Sequence, residues 1–226
     1  MADSIQFGTS GWRGLIARDF TFDRVRLAAQ GIADFLRPSA RKSKPSTVII
    51  GHDTRFLGRD FALAVAEVLE ANGLIPLLCE RDAPTPVISH TIRARKALGG
   101  INITASHNPA PWNGLKLIRA DGIFLNAAEG ERVEALFHSG EFRRTTTGTI
   151  ETLDPDEVKT RHLEQILAHI DADAIRQARF KVAVDPCNGA GALLLPDLLA
   201  ALNVESTLIN AEPDGDFAHE PEPVPA

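Results

Sequence analysis

Along the first half of the chain, apolar residues at helical spacing alternate with short, nearly continuous apolar runs. Residues 20–38 show the helical spacing, with Asp23 near the start and Pro38 after the end. Further helical segments are predicted at 58–73 and 86–97, and strand-like runs at 46–53, 74–80 and 98–106. Strands that are apolar throughout are typical of a sheet covered by helices on both faces. The pattern therefore predicts an α/β fold with a β-α-β-α-β succession.

The pattern changes after residue 106. Two apolar runs within 114–125 are separated by Ala120-Asp121-Gly122, which predicts a hairpin. A helix is predicted to begin after Asn126, a suitable capping residue, and to end near Gly140. We predict a three-layer α/β/α domain with a mixed sheet over residues 1–150.

A second α/β region is predicted over residues 151–226. Its first helix should begin at Pro155 with Asp154 as the cap. Residues 180–210 then follow as strand, glycine turn, helix and strand, which makes one βαβ unit, expected to be right-handed. A single unit leaves much of such a sheet uncovered, so we expect this second domain to be incomplete.

Composition narrows the functional classes. Among the 226 residues 44% are hydrophobic and 24% charged, which is typical of a soluble globular protein. A net charge of −6 argues against non-specific nucleic-acid binding, and no apolar run approaches the ~20 residues of a membrane span. Two widely separated cysteines, Cys79 and Cys187, and an amino terminus without signal-peptide character favour a reducing, cytoplasmic location.

Ser106 comes where a buried strand is predicted to end, at the edge of an α/β sheet where ligands usually bind. Two interpretations remain open from the residues alone: a turn built from Ser, Asn and Pro, or a reactive hydroxyl. A serine hydrolase would carry G-x-S-x-G, whereas Thr104 to Asn108 reads T-A-S-H-N. A Walker-type nucleotide loop is absent as well.

Phosphoryl chemistry fits the nearby charges better than acyl hydrolysis. A phosphoserine carries about −1.5 to −2 charges and needs cations and hydrogen-bond donors. Lys116 follows ten residues after Ser106, and Arg13 lies in what reads as a glycine-rich loop. An exposed strand lysine and a surface salt bridge are the alternatives for these two residues. Arg55 ends another strand at the same edge, where it could serve turn capping or substrate contact.

Five segments, taken together, are similar to those of one enzyme family. They are FGTSGWRG, GHDTR, PTPVISHTIR, GGINITASHNPAPWNGLKL and VDPCNGAG, in this order. The chain resembles the α-D-phosphohexomutases, which include phosphoglucomutases and phosphomannomutases. The resemblance implies that Ser106 is phosphorylated and exchanges its phosphoryl group with a hexose phosphate through a bisphosphorylated intermediate, interconverting hexose 1-phosphate and 6-phosphate.

The resemblance also implies roles for the surrounding residues. Arg13 and Lys116 would support charge and proton transfer beside the phosphoserine, and His107 would belong to the catalytic loop. Asn108 would shape that loop, and Arg55 would support the loop or the substrate. The implied cofactor is Mg²⁺, held by the Ser106 phosphate and three aspartates of a D-G-D-x-D-R loop.

That aspartate loop does not occur in this sequence. Asp214-Gly215-Asp216 is followed by Phe-Ala-His and resembles the family segment upstream of the metal loop. We therefore expect an amino-terminal part of a phosphohexomutase that lacks the carboxyl-terminal domains and has no mutase turnover by itself. The alternative is a non-enzymatic sugar-phosphate-binding or regulatory module that retains the fold.

Overall fold

The structure, a computed structural model, describes residues 5–8, 11–40, 46–139, 141–146, 148 and 150–222. Its largest sheet has six strands, which are β1 (Trp12–Leu15), β2 (Thr47–His52), β3 (Ile75–Cys79), β4 (Gly99–Ile103), β5 (Trp112–Arg119) and β6 (Glu151–Leu153). Their order is β1-β5-β4-β2-β3-β6. The pairs β1–β5 and β5–β4 are antiparallel and the remaining pairs are parallel. The predicted mixed sheet is confirmed.

Helices cover both faces of this sheet. The helices of the first region are α1 (Phe22–Leu36), α2 (Gly58–Ala71), α3 (Thr85–Ala94) and α4 (Ala127–Ala135), and those that follow are α5 (Pro155–Leu167), α6 (Ala172–Ala178) and α7 (Leu195–Ala201). Because successive strand residues face opposite sides, Val48 and Ile50 join the apolar cluster with α1 and α2, whereas Ile49 joins the cluster with Ile88 of α3. The three-layer α/β/α prediction is confirmed, and it explains why the strands are apolar throughout.

Local capping signals mark several helix ends. The Asn126 side chain accepts a hydrogen bond from the Glu129 amide, and the Glu129 side chain accepts one from the Asn126 amide. Asp154 caps α5, with Pro155 as its first residue, as predicted. Thr21, rather than Asp23, caps α1. Gly140, at which the sequence predicts the end of the fourth helix, lies outside the described residues.

One sequence-based prediction in the first region was wrong, and another is confirmed only in part. Residues 12–15, interpreted as loop, form β1, because their backbone groups find partners on β5. The hairpin predicted around Ala120-Asp121-Gly122 is reduced to a single bridge between Ile118 and Phe124 after β5. Strand β6 pairs in parallel with β3 and so extends the main sheet past residue 150.

The second region contains α5, α6, α7 and the strands β7 (Lys181–Val184) and β8 (Glu205–Leu208). Strands β7 and β8 form a separate parallel pair, as the βαβ prediction requires. All four residues of β8 are exposed, as are Phe180 and Ile209 beside the strands. Helix α6 was not predicted. No helix in the described ranges combines the length and apolar character needed to cross a membrane.

Candidate active site

The ends of β2 and β4 lie side by side at one edge of the main sheet. These strands are parallel neighbours with His52 opposite Ile103, and the Asp53 amide donates to the Ile103 carbonyl at 3.0 Å. Residues 104–111, which connect β4 to β5, are called the serine loop below. Two segments that are far apart in sequence, the serine loop and residues 53–55, therefore meet where the fold usually binds ligands.

Ser106 is exposed in the serine loop and has a φ of +60°, the left-handed region. Its amide donates to the Thr104 hydroxyl oxygen at 3.0 Å, and that hydroxyl donates to Asp53 Oδ2 at 2.5 Å. A non-glycine residue in this conformation costs about 1–2 kcal/mol, so it persists only where its surroundings hold it. The bonds from Ser106 through Thr104 to Asp53 provide part of that restraint and leave the Ser106 hydroxyl at the surface.

Arg55 binds the serine loop through backbone carbonyls. Its buried guanidinium donates from Nη2 to the carbonyls of Ser106 and Asn108, at 2.9 and 2.5 Å. Nη1 donates to the carbonyls of Pro109 and Trp112, at 2.9 and 3.0 Å. A planar guanidinium has the several fixed donors that such an arrangement needs. The sequence left turn capping and substrate contact open for Arg55. In the structure its guanidinium contacts backbone carbonyls of the serine loop and of Trp112, which are the contacts expected of a residue that supports this loop.

Asp53 is the counter-charge of this clamp, with Oδ2 3.3 Å from Arg55 Nε. Burial raises the pKa of Asp53, while the hydrogen bond from Thr104 and the charge of Arg55 act in the opposite direction. The carboxyl group is therefore committed to Thr104 and Arg55.

Arg13 and Lys116 lie on the same face of the sheet. Arg13 is opposite Gly114 on β5, and Lys116 is two residues further along that strand, opposite Asn102 of β4. Residues two apart in a strand share a face. Arg13 Nη1 also donates to Asn108 Oδ1 at 2.6 Å, which connects it directly to the serine loop.

Lys116 is 7% exposed, and its ammonium group lies 5.3 Å from the centre of the Phe124 ring. Burial lowers the pKa of Lys116, Arg13 lowers it further, and Asp53 opposes both. A lysine with a lowered pKa can exchange a proton nearer to neutral pH than an ordinary lysine. The exposed strand lysine that the sequence left open as an alternative is not what the structure contains.

His107 is exposed next to Ser106, and its Nε2 is 3.4 Å from Glu222 Oε2. Both residues are about half exposed, so this pair contributes little to stability. The pair does place Glu222 of the second region against the serine loop.

A cleft of about 430 Å³ opens beside Ser106, between the serine loop and the second region. Residues of both regions line it, among them Thr54, Asn102, Thr104, Cys187, Phe217 and Pro221. Thr104 escaped the sequence analysis, although its position two residues before Ser106 and two after Asn102 was a usable signal. No local signal placed Phe217 at the site.

The Mg²⁺ implied by the resemblance finds no complete set of ligands here. Within the described ranges, no group of three His, Cys, Asp or Glu residues could hold a metal ion. Asp53 is bound by Thr104 and Arg55, and Asp214 Oδ1 accepts the Asp216 amide in an exposed turn. Mg²⁺ prefers octahedral oxygen coordination, which these residues do not fit.

Comparison with known proteins places the chain. The model described as phosphoglucomutase/phosphomannomutase, alpha/beta/alpha domain I, matches residues 4–144, and that of domain II matches residues 160–226. A Thermococcus kodakarensis phosphoglucomutase/phosphomannomutase is 36% identical over 218 residues, covering 96% of this chain and 47% of that protein. A Sulfurisphaera tokodaii phosphoglucosamine/phosphogalactosamine mutase is 33% identical over 224 residues, with the same coverage.

A crystal structure of a candidate phosphomannomutase from Thermus thermophilus superimposes with a TM-score of 0.89. It is 35% identical, and the match covers 99% of this chain and 50% of that one. The chain thus spans about half the length of these relatives and includes part of the second domain. With two consecutive domain models matched in order, the chain belongs to the phosphoglucomutase/phosphomannomutase family of phosphohexomutases.

Proposed function

We propose that Ser106 carries a phosphoryl group and exchanges it with a hexose phosphate, glucose or mannose, in the complete protein to which this chain corresponds. The observation that carries the proposal is the placement of Ser106: an exposed hydroxyl, in a restrained left-handed loop, at a cleft, with Arg13 hydrogen-bonded to Asn108 of the same loop. This placement agrees with what the relatives' names state, which is mutase activity on hexose or hexosamine phosphates.

Electrostatics supports a phosphoryl group at this position. A phosphoserine carries about −1.5 to −2 charges. Each cation at ~4 Å contributes about 4 kcal/mol of Coulomb energy at an effective dielectric of ~20, before desolvation. Arg13 reaches the serine loop through Asn108, and Lys116 shares its face. Lys116 is already partly desolvated, so a phosphoryl anion would relieve the cost of burying it.

In the proposed transfer, a free hydroxyl oxygen of the sugar phosphate attacks the phosphorus on Ser106. The new oxygen–phosphorus bond forms as the bond to Ser106 Oγ breaks. The sugar hydroxyl loses a proton to a base, and Ser106 Oγ takes up a proton. Lys116 and Arg13 are the groups that we propose for charge and proton support. The resulting bisphosphate would then turn around and return its other phosphoryl group to Ser106.

The 226-residue chain alone should bind sugar phosphate without turning it over. Uncatalysed phosphate-monoester hydrolysis is so slow that enzymes supply up to ~10²¹-fold, whereas one positioned acid or base contributes about 10²–10⁴-fold. The described residues provide the nucleophile and cations but not a complete metal site. When bound in the complete protein, Mg²⁺ would neutralise phosphoryl charge, and from this chain it would take the Ser106 phosphate as a ligand.

The test uses the full-length protein that contains this chain. Ser106→Ala should abolish interconversion of the 1-phosphate and 6-phosphate of glucose and mannose, and should remove one phosphoryl mass from the intact protein. Ser39→Ala, which changes an exposed serine in a surface turn, should alter neither. Undiminished turnover in Ser106→Ala would overturn the proposal. Sugar-phosphate binding with no exchange in the unmodified protein would favour the non-enzymatic module.

A further inference from the structure

The segment of residues 210–218, called the strap below, is hydrogen-bonded at four points to one residue, Asn188. Asn188 follows β7 in a left-handed conformation and is 9% exposed. Its amide donates to the Asn210 carbonyl at 2.8 Å, and its carbonyl accepts from the Asp214 amide at 2.9 Å. Its side chain donates to the Glu212 carbonyl and accepts from the Ala218 amide, both at 2.8 Å. All of these polar groups of Asn188 therefore bind the strap.

The strap in turn lies on the turn that carries Arg55. The Phe217 ring covers the Arg55 guanidinium, with Cζ 4.9 Å from the ring centre. Gly215 approaches so closely that a Cβ there would come within 2.7 Å of the Thr54 carbonyl oxygen and 2.9 Å of the Phe56 amide nitrogen. Only glycine allows this contact between the second region and the first.

Arg55 connects the strap to the serine loop. The donors of a guanidinium lie in its plane and point outwards, so they are aimed only while the plane is held. Four of these bonds reach the carbonyls around Ser106. An aromatic ring over the cation fixes the plane and keeps water from one face of it.

We propose that Phe217 is a positioning residue for Ser106: through Arg55, the strap anchored by Asn188 sets the geometry of the serine loop. The strap would thus make the reactive loop sensitive to the placement of the second region. Its catalytic meaning rests on the proposed function, but the mechanical coupling does not.

The coupling is measured by amide hydrogen exchange on the 226-residue chain. The amides of Ser106, Asn108 and Trp112 are hydrogen-bonded within the serine loop and its junction with β5. We expect them to exchange about fivefold faster in Phe217→Ala, which corresponds to about 1 kcal/mol, the scale of one cation–π contact. Phe217→Tyr keeps an aromatic face and should restore the original rates. Phe180→Ala removes an exposed aromatic residue beside β7 and should leave them unchanged.

Amides in the second half of α1, around the fully buried Ile32, report on global unfolding. If Phe217→Ala speeds hydrogen exchange at these control amides as much as in the serine loop, the experiment is repeated with Phe217→Leu, because leucine keeps apolar bulk without the aromatic face. Serine-loop rates that stay within twofold of the original in a folded Phe217→Ala or Phe217→Leu variant would overturn the proposal.

In the full-length protein, Phe217→Ala should lower kcat about fivefold with little change in KM, since a misplaced loop affects transfer more than binding. Phe217→Tyr should recover the loss. The two proposals fail separately. If Phe217→Ala speeds amide hydrogen exchange but the full-length protein transfers no phosphoryl group, the proposed function is refuted and the positioning role stands. If the protein transfers phosphoryl groups but the amide exchange rates are unchanged in Phe217→Ala, the positioning role is refuted and the proposed function stands.

Discussion

Replacing Arg55 with methionine tests the clamp on the serine loop most directly. The guanidinium is completely buried, lies 3.3 Å from Asp53, and donates to four carbonyls. Methionine fills a similar volume but donates nothing, so Asp53 becomes a buried carboxyl group without its cation. Removing one partner of a buried pair costs about 3–5 kcal/mol. That is a large part of the about 5–15 kcal/mol by which a domain is stable.

Urea denaturation followed by tryptophan fluorescence measures this loss. The chain has two tryptophans, Trp12 in the core and Trp112 at the start of β5, directly after the serine loop. The matched control is Arg59→Met. Arg59 pairs with Glu80 at 3.0 Å, but both side chains are nearly half exposed, so its loss should cost about 0.2–1 kcal/mol.

The pH dependence of the free energy of unfolding separates the loss of the Arg55 charge from the loss of its packing. Burial raises the pKa of Asp53 and Arg55 opposes that rise, so Arg55→Met should raise this pKa further. A carboxyl group with a raised folded-state pKa stabilises the protein below its unfolded-state pKa and loses that contribution as pH rises. Arg55→Met should therefore cost more at about pH 7.5 than at about pH 5, and adding Asp53→Asn should recover stability at the higher pH. An Arg55→Met penalty no larger than that of Arg59→Met, at either pH, would refute this account.

Three further predictions concern other buried groups. Lys116→Met should leave the urea midpoint unchanged or raise it, because the substitution removes a buried charge. The same variant should lower phosphoryl exchange in the full-length protein by about 10²-fold or more. Normal exchange would contradict the role proposed for Lys116. Gly31→Ala would place a Cβ 2.4 Å from Phe137 Cδ1. The substitution should therefore lower the free energy of unfolding by about 1–3 kcal/mol, although alanine has the better helix propensity. A stabilised variant in the same urea denaturation assay would contradict this prediction. Burial, followed by neighbouring positive charges, lowers the pKa of His90, and burial lowers that of His162, whose ring centre is 5.4 Å from that of His90. Stability should fall as pH drops below about 6.5, the unfolded-state value, and urea midpoints across this range should fall less steeply in His162→Asn.

Local signals in the sequence predicted much of the first region and the start of the second. The helices beginning after Asn126 and Asp154 are where their caps predicted them, because a cap satisfies amides within its own first turn. The strands around Ile50 and Ile101 were recognisable because both of their faces are buried. The position of Ser106 at a strand end, with Lys116 on the following strand, was predictable for the same reason.

Other parts of the site depend on partners distant in sequence. Strand β1 has only four residues and reads as a glycine-rich loop, and it becomes a strand because β5 supplies its hydrogen-bond partners. Arg55 reads as a turn residue until carbonyls 51 to 57 residues away surround it. Phe217 reads as part of a polar tail until it covers Arg55.

The sequence by itself determined the fold class and the order of the elements from α1 to α4 in the first region, since periodicity and capping act over a few residues, and its motifs indicated the serine loop as the candidate site. Only the tertiary structure decided how that loop is held and which side chains surround it. Its restraints are hydrogen bonds and a ring contact between segments far apart along the chain, and such contacts exist only after the sheet has brought those segments to one edge.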